Sequence, residues 1–185
     1  GKGGTTSAPF SSGTQNVAIG AYALDAFTDG IRNVAIGHEA LSTSTGADYN
    51  QAIGYRALYN VNTGGQNTAI GHEVGLALTS GGQNIAIGYH AGYHNQTGVY
   101  NVHIGVQAGY GASGNSANSN TAVGWRSMYS IGTGGNNVAM GSTAMYGGVG
   151  AANQVAIGTE ALYSATSGLA NVAVGYRAAK ALGNA

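Results

Sequence analysis

The sequence predicts an all-β chain that folds as a parallel β-solenoid, or β-roll, of ten coils. Three observations support this prediction: the phrase Asn-x-Ala-Ile-Gly recurs every 17 residues, Gly fills the fifth place of every copy, and β-branched residues favour extended backbone between the corners. A repeat of this length is too short for a helix-turn-helix unit but suits two short strands and two turns. The copies begin at Asn16, Asn33, Asn50, Asn67, Asn84, Asn101, Asn120, Asn137, Gln154 and Asn171.

The repeat divides the chain into an N-terminal segment or cap, residues 1–15, and a solenoid, residues 16–185. We number each coil from its Asn as position 1. Stacked coils lie about 4.8 Å apart, so ten of them make a rod on the order of 48 Å long. Only the coil 101–119 departs from the period, by two residues, and we expect a longer loop between Gly111 and Ser119 that could contact a receptor.

Each position of the repeat becomes a line along the rod. Position 1 predicts an amide ladder that hydrogen-bonds from coil to coil and has a structural role. Position 4 is aliphatic in every coil, and we expect it to form the interior core. Its members are Ile19, Ile36, Ile53, Ile70, Ile87, Ile104, Val123, Met140, Ile157 and Val174.

Position 7 carries half of the twelve charged residues, so we expect it to face water. Its charges alternate in sign in successive coils, which places opposite charges next to each other and favours correct register. The charged members are Glu39, Arg56, Glu73, Arg126, Glu160 and Arg177.

The strand Val-Ala-Ile-Gly has no polar face, although a strand with one solvated face should alternate apolar with polar residues. We therefore expect both faces to be buried. One face would line the coil, and the other, made of small residues, would approach a neighbouring subunit. A core this thin favours an oligomer.

The phrases NVAIG, NTAIG, NQAIG and NIAIG, followed by YRAL, HEAL or TEAL, resemble the head repeats of YadA-like trimeric autotransporter adhesins. They are also similar to the NTAIG-type repeats of bacteriophage tail fibres and tail spikes. The resemblance spans residues 16–185. It implies a left-handed, homotrimeric β-roll that is extracellular, on a virion tail or a bacterial surface. It also implies attachment to a polysaccharide or protein receptor on a host cell.

Two features depart from these families. The adhesin repeat is shorter, so the return arm of each coil must be longer here. The sequence also has no coiled-coil stalk, membrane anchor or C-terminal chaperone domain. The rest of such a fibre is therefore expected to lie outside this chain.

Aromatic residues form two lines that could contact glycans, because sugars bind aromatic faces. The same stacks could equally stabilise the solenoid or border a subunit interface. The line at position 10 comprises Tyr59, Tyr93, Tyr110, Tyr129, Tyr146 and Tyr163. The line at position 6 comprises His38, Tyr55, His72, Tyr89 and Trp125, with Val106 interrupting it.

His103 replaces the Ala of position 3. If that face met a trimer axis, three copies would converge and could hold a metal ion or an anion. The alternative, that the ring is simply accommodated in the core, is the commoner situation for a lone histidine. We assign no other metal ligand, no cofactor and no catalytic residue.

The sequence argues against several other functions. Six basic and six acidic residues give zero net charge, which does not favour nucleic acid, and no apolar run is long enough to insert in a membrane. Zero Cys excludes disulfides. His38-Glu39 and His72-Glu73 lack the second His of a zinc-protease helix, and the glycines of residues 109–114 precede no helix. We therefore predict that the protein is not an enzyme, although neighbouring coils could still pair two carboxylates.

Two other interpretations stay open. A self-assembling extracellular filament would form if solenoid ends stack on one another. An ice-binding solenoid would require a Thr-x-Thr ladder, and no position of the repeat supplies one.

Overall fold

The computed structural model describes residues 13–164 and 170–181. Most of the predicted N-terminal segment, residues 1–12, lies outside the described residues, as do 165–169 and 182–185. The described chain is all-β and forms a parallel β-solenoid of stacked coils, as the repeat predicted.

One sheet of ten strands runs along the rod in sequence order, and each strand has three residues. Equivalent positions pair in register, so that Ala18 lies opposite Ala35 in the next coil. The strands are β1 (Val17–Ile19), β2 (Val34–Ile36), β3 (Gln51–Ile53), β4 (Thr68–Ile70), β5 (Ile85–Ile87), β6 (Val102–Ile104), β7 (Thr121–Val123), β8 (Val138–Met140), β9 (Val155–Ile157) and β10 (Val172–Val174).

Each described coil contains one strand rather than the expected two. The return arm is made of turns, but its backbone still bonds to the next coil: Leu24 N–H donates to Ala40 at 3.1 Å, and Ala26 N–H donates to Ser42 at 3.0 Å. Positions 7, 9 and 17 adopt left-handed backbone with φ between 48° and 63°, mostly without Gly. These bends prevent a second regular strand from forming.

Gly at position 5 is required by close stacking as well as by its backbone angle. These glycines have φ between 125° and 137°, a region that side chains rarely allow. A Cβ on Gly54 would also lie 2.1 Å from the carbonyl oxygen of Gly71 in the next coil. The invariant fifth position therefore marks a place where successive coils approach closely.

The expectation that position 4 forms the interior core is wrong. Ile19 is 57% exposed and Ile70 is 38% exposed, whereas Ala35 and Ala52, at position 3, are fully buried. Side chains alternate across a strand, so the Asn of position 1 and the Ala of position 3 share the inward face. The small-residue face therefore lines the coil instead of meeting a neighbouring subunit, and the branched side chains point outward.

The interior is filled by small residues from several arms and, in most coils, by one or two larger apolar residues. Ala40 and Leu41, at positions 8 and 9, are fully buried. Ala47, at position 15, is also fully buried and fills the interior from the opposite side of the coil. This cross-section leaves room for a methyl group at position 3 but not for a branched side chain.

The Asn side chains of position 1 form a buried ladder with two kinds of bond. Asn33 Nδ2 donates to the carbonyl of Ala47 across its own coil at 2.7 Å. Asn33 Oδ1 accepts the backbone N–H of Asn50 in the next coil at 2.8 Å. In the longer coil, Asn101 keeps the cross-coil bond by donating to Ala117 at 2.8 Å. Each amide thus closes one coil and fixes the register of the next.

Gln154 continues the ladder with a longer side chain. Its backbone N–H donates to Asn137 Oδ1 at 2.9 Å, and its Oε1 accepts the N–H of Asn171 at 3.3 Å. The bond from coil to coil therefore tolerates one extra methylene group.

Replacing Asn67 by Ala is expected to destabilise the solenoid by about 2–4 kcal/mol, because it leaves buried polar groups without partners. Asn67 Nδ2 donates to Gly81 at 3.1 Å, and Asn67 Oδ1 accepts the Asn84 N–H at 3.0 Å. The measurement is the urea midpoint of unfolding. The control is N62A, since Asn62 is exposed and accepts one bond from Thr45. Equal losses in the two variants would contradict the role of the ladder.

Candidate functional site

The outward side chains of positions 2 and 4 form an apolar surface along the rod, which we call the outward stripe. Its most exposed members are Val172, at 73%, Val174, at 66%, and Ile19, at 57%. Thr68, Thr121 and Gln51 replace the aliphatic residue of position 2 in three coils, whereas position 4 is aliphatic in all ten. An exposed and largely apolar surface of this kind marks an interaction site.

The residues of position 7 form a line of ion pairs, with the alternation of sign that the sequence predicted. Arg56 donates to the Glu39 carboxylate and lies 3.9 Å from Glu73 Oε1. The other oxygen of Glu73 lies 2.9 Å from His90 Nε2. The pairs are half-buried at the surface of the rod, so each contributes little to stability but favours one register.

The same line resumes near the C-terminal end of the rod. Glu160 Oε2 accepts bonds from Lys180 Nζ at 2.6 Å and from Arg177 Nε at 2.7 Å. Hydrogen bonds from Lys180 and Arg177 lower the pKa of Glu160. This carboxylate therefore stays ionised and engaged with two cations.

Five tyrosines of position 10 stack as parallel rings, with centroids 4.9–5.2 Å apart and planes within 11° of each other. Tyr59 is outside this stack because Leu76 occupies position 10 of the next coil. Burial raises the pKa of Tyr93 and of Tyr110. The stacked rings are Tyr93, Tyr110, Tyr129, Tyr146 and Tyr163.

Stacking changes what these tyrosines can offer to a ligand. Each inner ring is covered on both faces by its neighbours, Tyr93 also contacts His90 at 4.7 Å, and Lys180 lies 5.4 Å from the ring of Tyr163. A sugar therefore cannot stack on these faces and can meet only ring edges and hydroxyl groups. The ribbon is better suited to stabilising the coil stack than to binding a glycan.

Position 6 contains a second stack of four alternating rings, with centroids 4.8–5.6 Å apart. Its members are His38, Tyr55, His72 and Tyr89. Val106 follows this stack, and Trp125 stands beyond it, 49% exposed, with the Arg126 guanidinium 4.8 Å from its ring. Because the adjacent coils carry Val106 and Ser142, aromatic rings do not flank Trp125 at position 6. Of the predicted glycan contacts, Trp125 is the most exposed.

His103 lies inside the solenoid, and the expectation that it could line a trimer axis is wrong. The residue is 3% exposed, because position 3 points into the coil. Position 9 is Gly in this coil and in the preceding one; a Cβ on Gly109 would lie 2.3 Å from the imidazole ring, and one on Gly92 3.0 Å from it. Position 9 is Leu in several other coils but Gly in these two. This difference is the sequence signal that could have placed the imidazole ring in the core.

The surroundings of His103 leave little space for solvent. Burial lowers its pKa from the ordinary 6.5 to about 4. Among the described residues its Nε2 has no hydrogen-bond partner. The ring borders a cavity of about 10 Å³ that is also lined by Leu78, Asn84 and Asn95. This volume holds one water molecule at most.

The insertion in the coil 101–119 is confined to the return arm. Residues 112–114 are exposed, and Asn115 then pairs with Asn95 of the preceding coil and restores the repeat. The predicted loop is thus short and accessible.

Sequence reasoning missed one cluster of polar residues. His72, Glu73 and His90 each present a ligand atom, and these atoms lie within 4.8 Å of one another. The sequence signal that could have revealed the cluster is the presence of these three residues at the adjacent positions 6 and 7 of two successive coils.

The chain matches no protein-family model, no curated protein and no solved structure. In the part of the chain that the structure describes, no helix has the length and apolar character that a membrane span requires.

His103 should make folding sensitive to acid. Its folded pKa is about 4, against 6.5 ordinarily, so the unfolded chain binds more protons between these values. Stability is therefore unaffected above pH 6.5 and falls by about 3 kcal/mol as the pH drops towards 4.

The test measures urea midpoints at pH 7 and pH 4.5 for the wild type and for H103A, which places in this coil the Ala found at position 3 of the other nine. H103A loses packing at both pH values, but its midpoint should depend less on pH. Carboxylates titrate alike in the two proteins. Parallel losses with pH would show that His103 is not responsible.

Proposed function

We propose that this chain is a rigid segment of an adhesive fibre, from a phage tail or a bacterial surface, in which copies of the chain pack through the outward stripe. The observation that carries the proposal is the stripe itself. Position 4 is aliphatic in all ten coils, and its residues face outward. Burial of such side chains contributes about 25 cal/mol per Å².

A second copy of the chain is the occupant that fits this stripe best. Coils recur about every 4.8 Å, so an occupant must offer apolar contacts at the same spacing over the same length. A parallel copy supplies both. Closed symmetry prevents further growth through this surface. The number of three copies is taken from the resemblance to trimeric adhesin repeats.

The homotrimer leaves other surfaces for a receptor. The return arm carries the exposed loop 112–114, and the exposed ring of Trp125 lies at position 6. Three copies per rod would present each contact three times, so weak single contacts add up. The receptor in this proposal is a polysaccharide or a protein on the host cell surface, and the fibre is extracellular.

Binding without cleavage is the favoured activity. The three position-7 carboxylates, Glu39, Glu73 and Glu160, are each engaged by cationic side chains or His90. A glycosidase needs one carboxyl group kept protonated beside a second one that is ionised. These paired glutamates do not supply that arrangement.

Replacing Ile70 by Lys is expected to convert the trimer to monomers, because a charge would have to be buried in the stripe. Ile70 is already 38% exposed in the single chain, so the coil itself should still fold. The measurement is mass in solution by light scattering. The matched control is V149K, at a site 46% exposed outside the stripe. A wild-type protein that stays monomeric at all concentrations would contradict the proposal.

Replacing Trp125 by Ala is expected to weaken binding to host polysaccharide about tenfold, the loss of one aromatic contact of about 1.5 kcal/mol. Binding is measured on immobilised polysaccharide, and mass spectrometry of the polymer should find it intact. Y49A is the control, since Tyr49 is also exposed but lies at position 17. Shortened polymer would show an enzyme, and equal effects of W125A and Y49A would remove Trp125 from the binding surface.

The ends of the sheet favour a second candidate, a filament built by stacking solenoids. Among the described residues, β10 is hydrogen-bonded only to β9 and β1 only to β2, so each end of the sheet presents an edge strand. Edge strands of this kind can pair with another chain. Mass measured against concentration separates the two candidates, because a trimer reaches a constant value whereas a filament keeps growing.

A further inference from the structure

His72, Glu73 and His90 form a compact group on the outer surface of the rod. His72 and Glu73 occupy positions 6 and 7 of one coil, and His90 occupies position 7 of the next. One ligand atom from each lies within 4.8 Å of the other two. Ligands around a tetrahedral zinc ion are separated by roughly 3.4 Å, so modest side-chain rotation would complete the site.

Aromatic contacts hold both imidazole rings in place. His72 stacks between Tyr55, at 4.8 Å, and Tyr89, at 5.3 Å. His90 stacks on Tyr89 at 3.8 Å and also contacts Tyr93 at 4.7 Å. Rings fixed in this way lose little conformational freedom when they bind an ion.

The carboxylate is oriented from its other side. Arg56 Nη1 lies 3.9 Å from Glu73 Oε1, which leaves Oε2 directed at His90 Nε2 at 2.9 Å. An ion between Glu73 and His90 would replace that contact, while Arg56 would keep the carboxylate in position. Such outer contacts are typical of metal sites.

We propose that His72, Glu73 and His90 bind one divalent transition-metal ion of the zinc type per chain, with water as the fourth ligand. Two imidazoles and one carboxylate suit zinc and its neighbours better than calcium or magnesium, which prefer all-oxygen sites. The ion would join two successive coils through their side chains. This site is on the side of the rod, away from the interior position of His103.

The chain contains its own control for this proposal. His38 and Glu39 repeat the same dipeptide at positions 6 and 7, with His38 Nδ1 lying 3.8 Å from the Glu39 carboxylate. In the coil that follows His38 and Glu39, position 7 is Arg56. A guanidinium cation therefore occupies the place that His90 occupies in the proposed site. Within residues 13–164 and 170–181, the His38 pair therefore has no third His or carboxylate ligand beside it.

The experiment titrates Zn²⁺ by calorimetry, and Co²⁺ by its visible absorption, into the full chain after removal of metal with a chelator. We expect one ion per chain, a tetrahedral Co²⁺ spectrum, and at least about 100-fold weaker binding in H90N. H72N should behave like H90N, and far-ultraviolet circular dichroism checks that both remain folded. H38N should bind like the wild type.

Several results would overturn the proposal. These are no binding of either ion at millimolar concentration, a loss in H38N as large as in H90N, or unchanged binding in both H72N and H90N. The outcome is independent of the fibre proposal, because a monomeric chain contains all three ligands.

Discussion

The buried amide of position 1 is the interaction on which the rest of this structure depends. Through Nδ2 it ties the strand to the return arm 14 residues ahead, as Asn33 does with Ala47, and through Oδ1 it sets the height of the next coil. A buried amide without partners would be costly, so the amide bonds and the coil stack stabilise one another. Because this amide link is kept from coil to coil, the residue types in the backbone turns can vary.

The inward amide also decides what faces outward. With Asn and Ala on the inner face of the strand, the branched residues must lie on the outer face, and an apolar surface appears on a chain that has few charges. The two candidate interaction surfaces are therefore by-products of the repeat's internal packing. The stripe follows from strand alternation, and the His72 cluster follows from stacking positions 6 and 7 of adjacent coils.

Much of the fold was predictable because a regular repeat makes local signals cumulative. Comparing one position of the repeat across all coils is enough to predict the period, the register, the glycine corners and the alternating charges. The inward face was not predictable in the same way, since both faces of Val-Ala-Ile are apolar and only the width of the coil decides between them. His103 was misplaced for that reason. The cluster at His90 was missed because its ligands belong to two different lines of the repeat.

The return arm and the strand have separate roles in the longer coil. Asn101 still reaches Ala117, although two residues have been added between them, and the next coil begins in register. The length of the surface loop can thus change here without changing how the coils stack. Evolution or protein engineering can lengthen the loop to present new peptide sequences on the flank of the rod, while duplication of whole coils changes its reach.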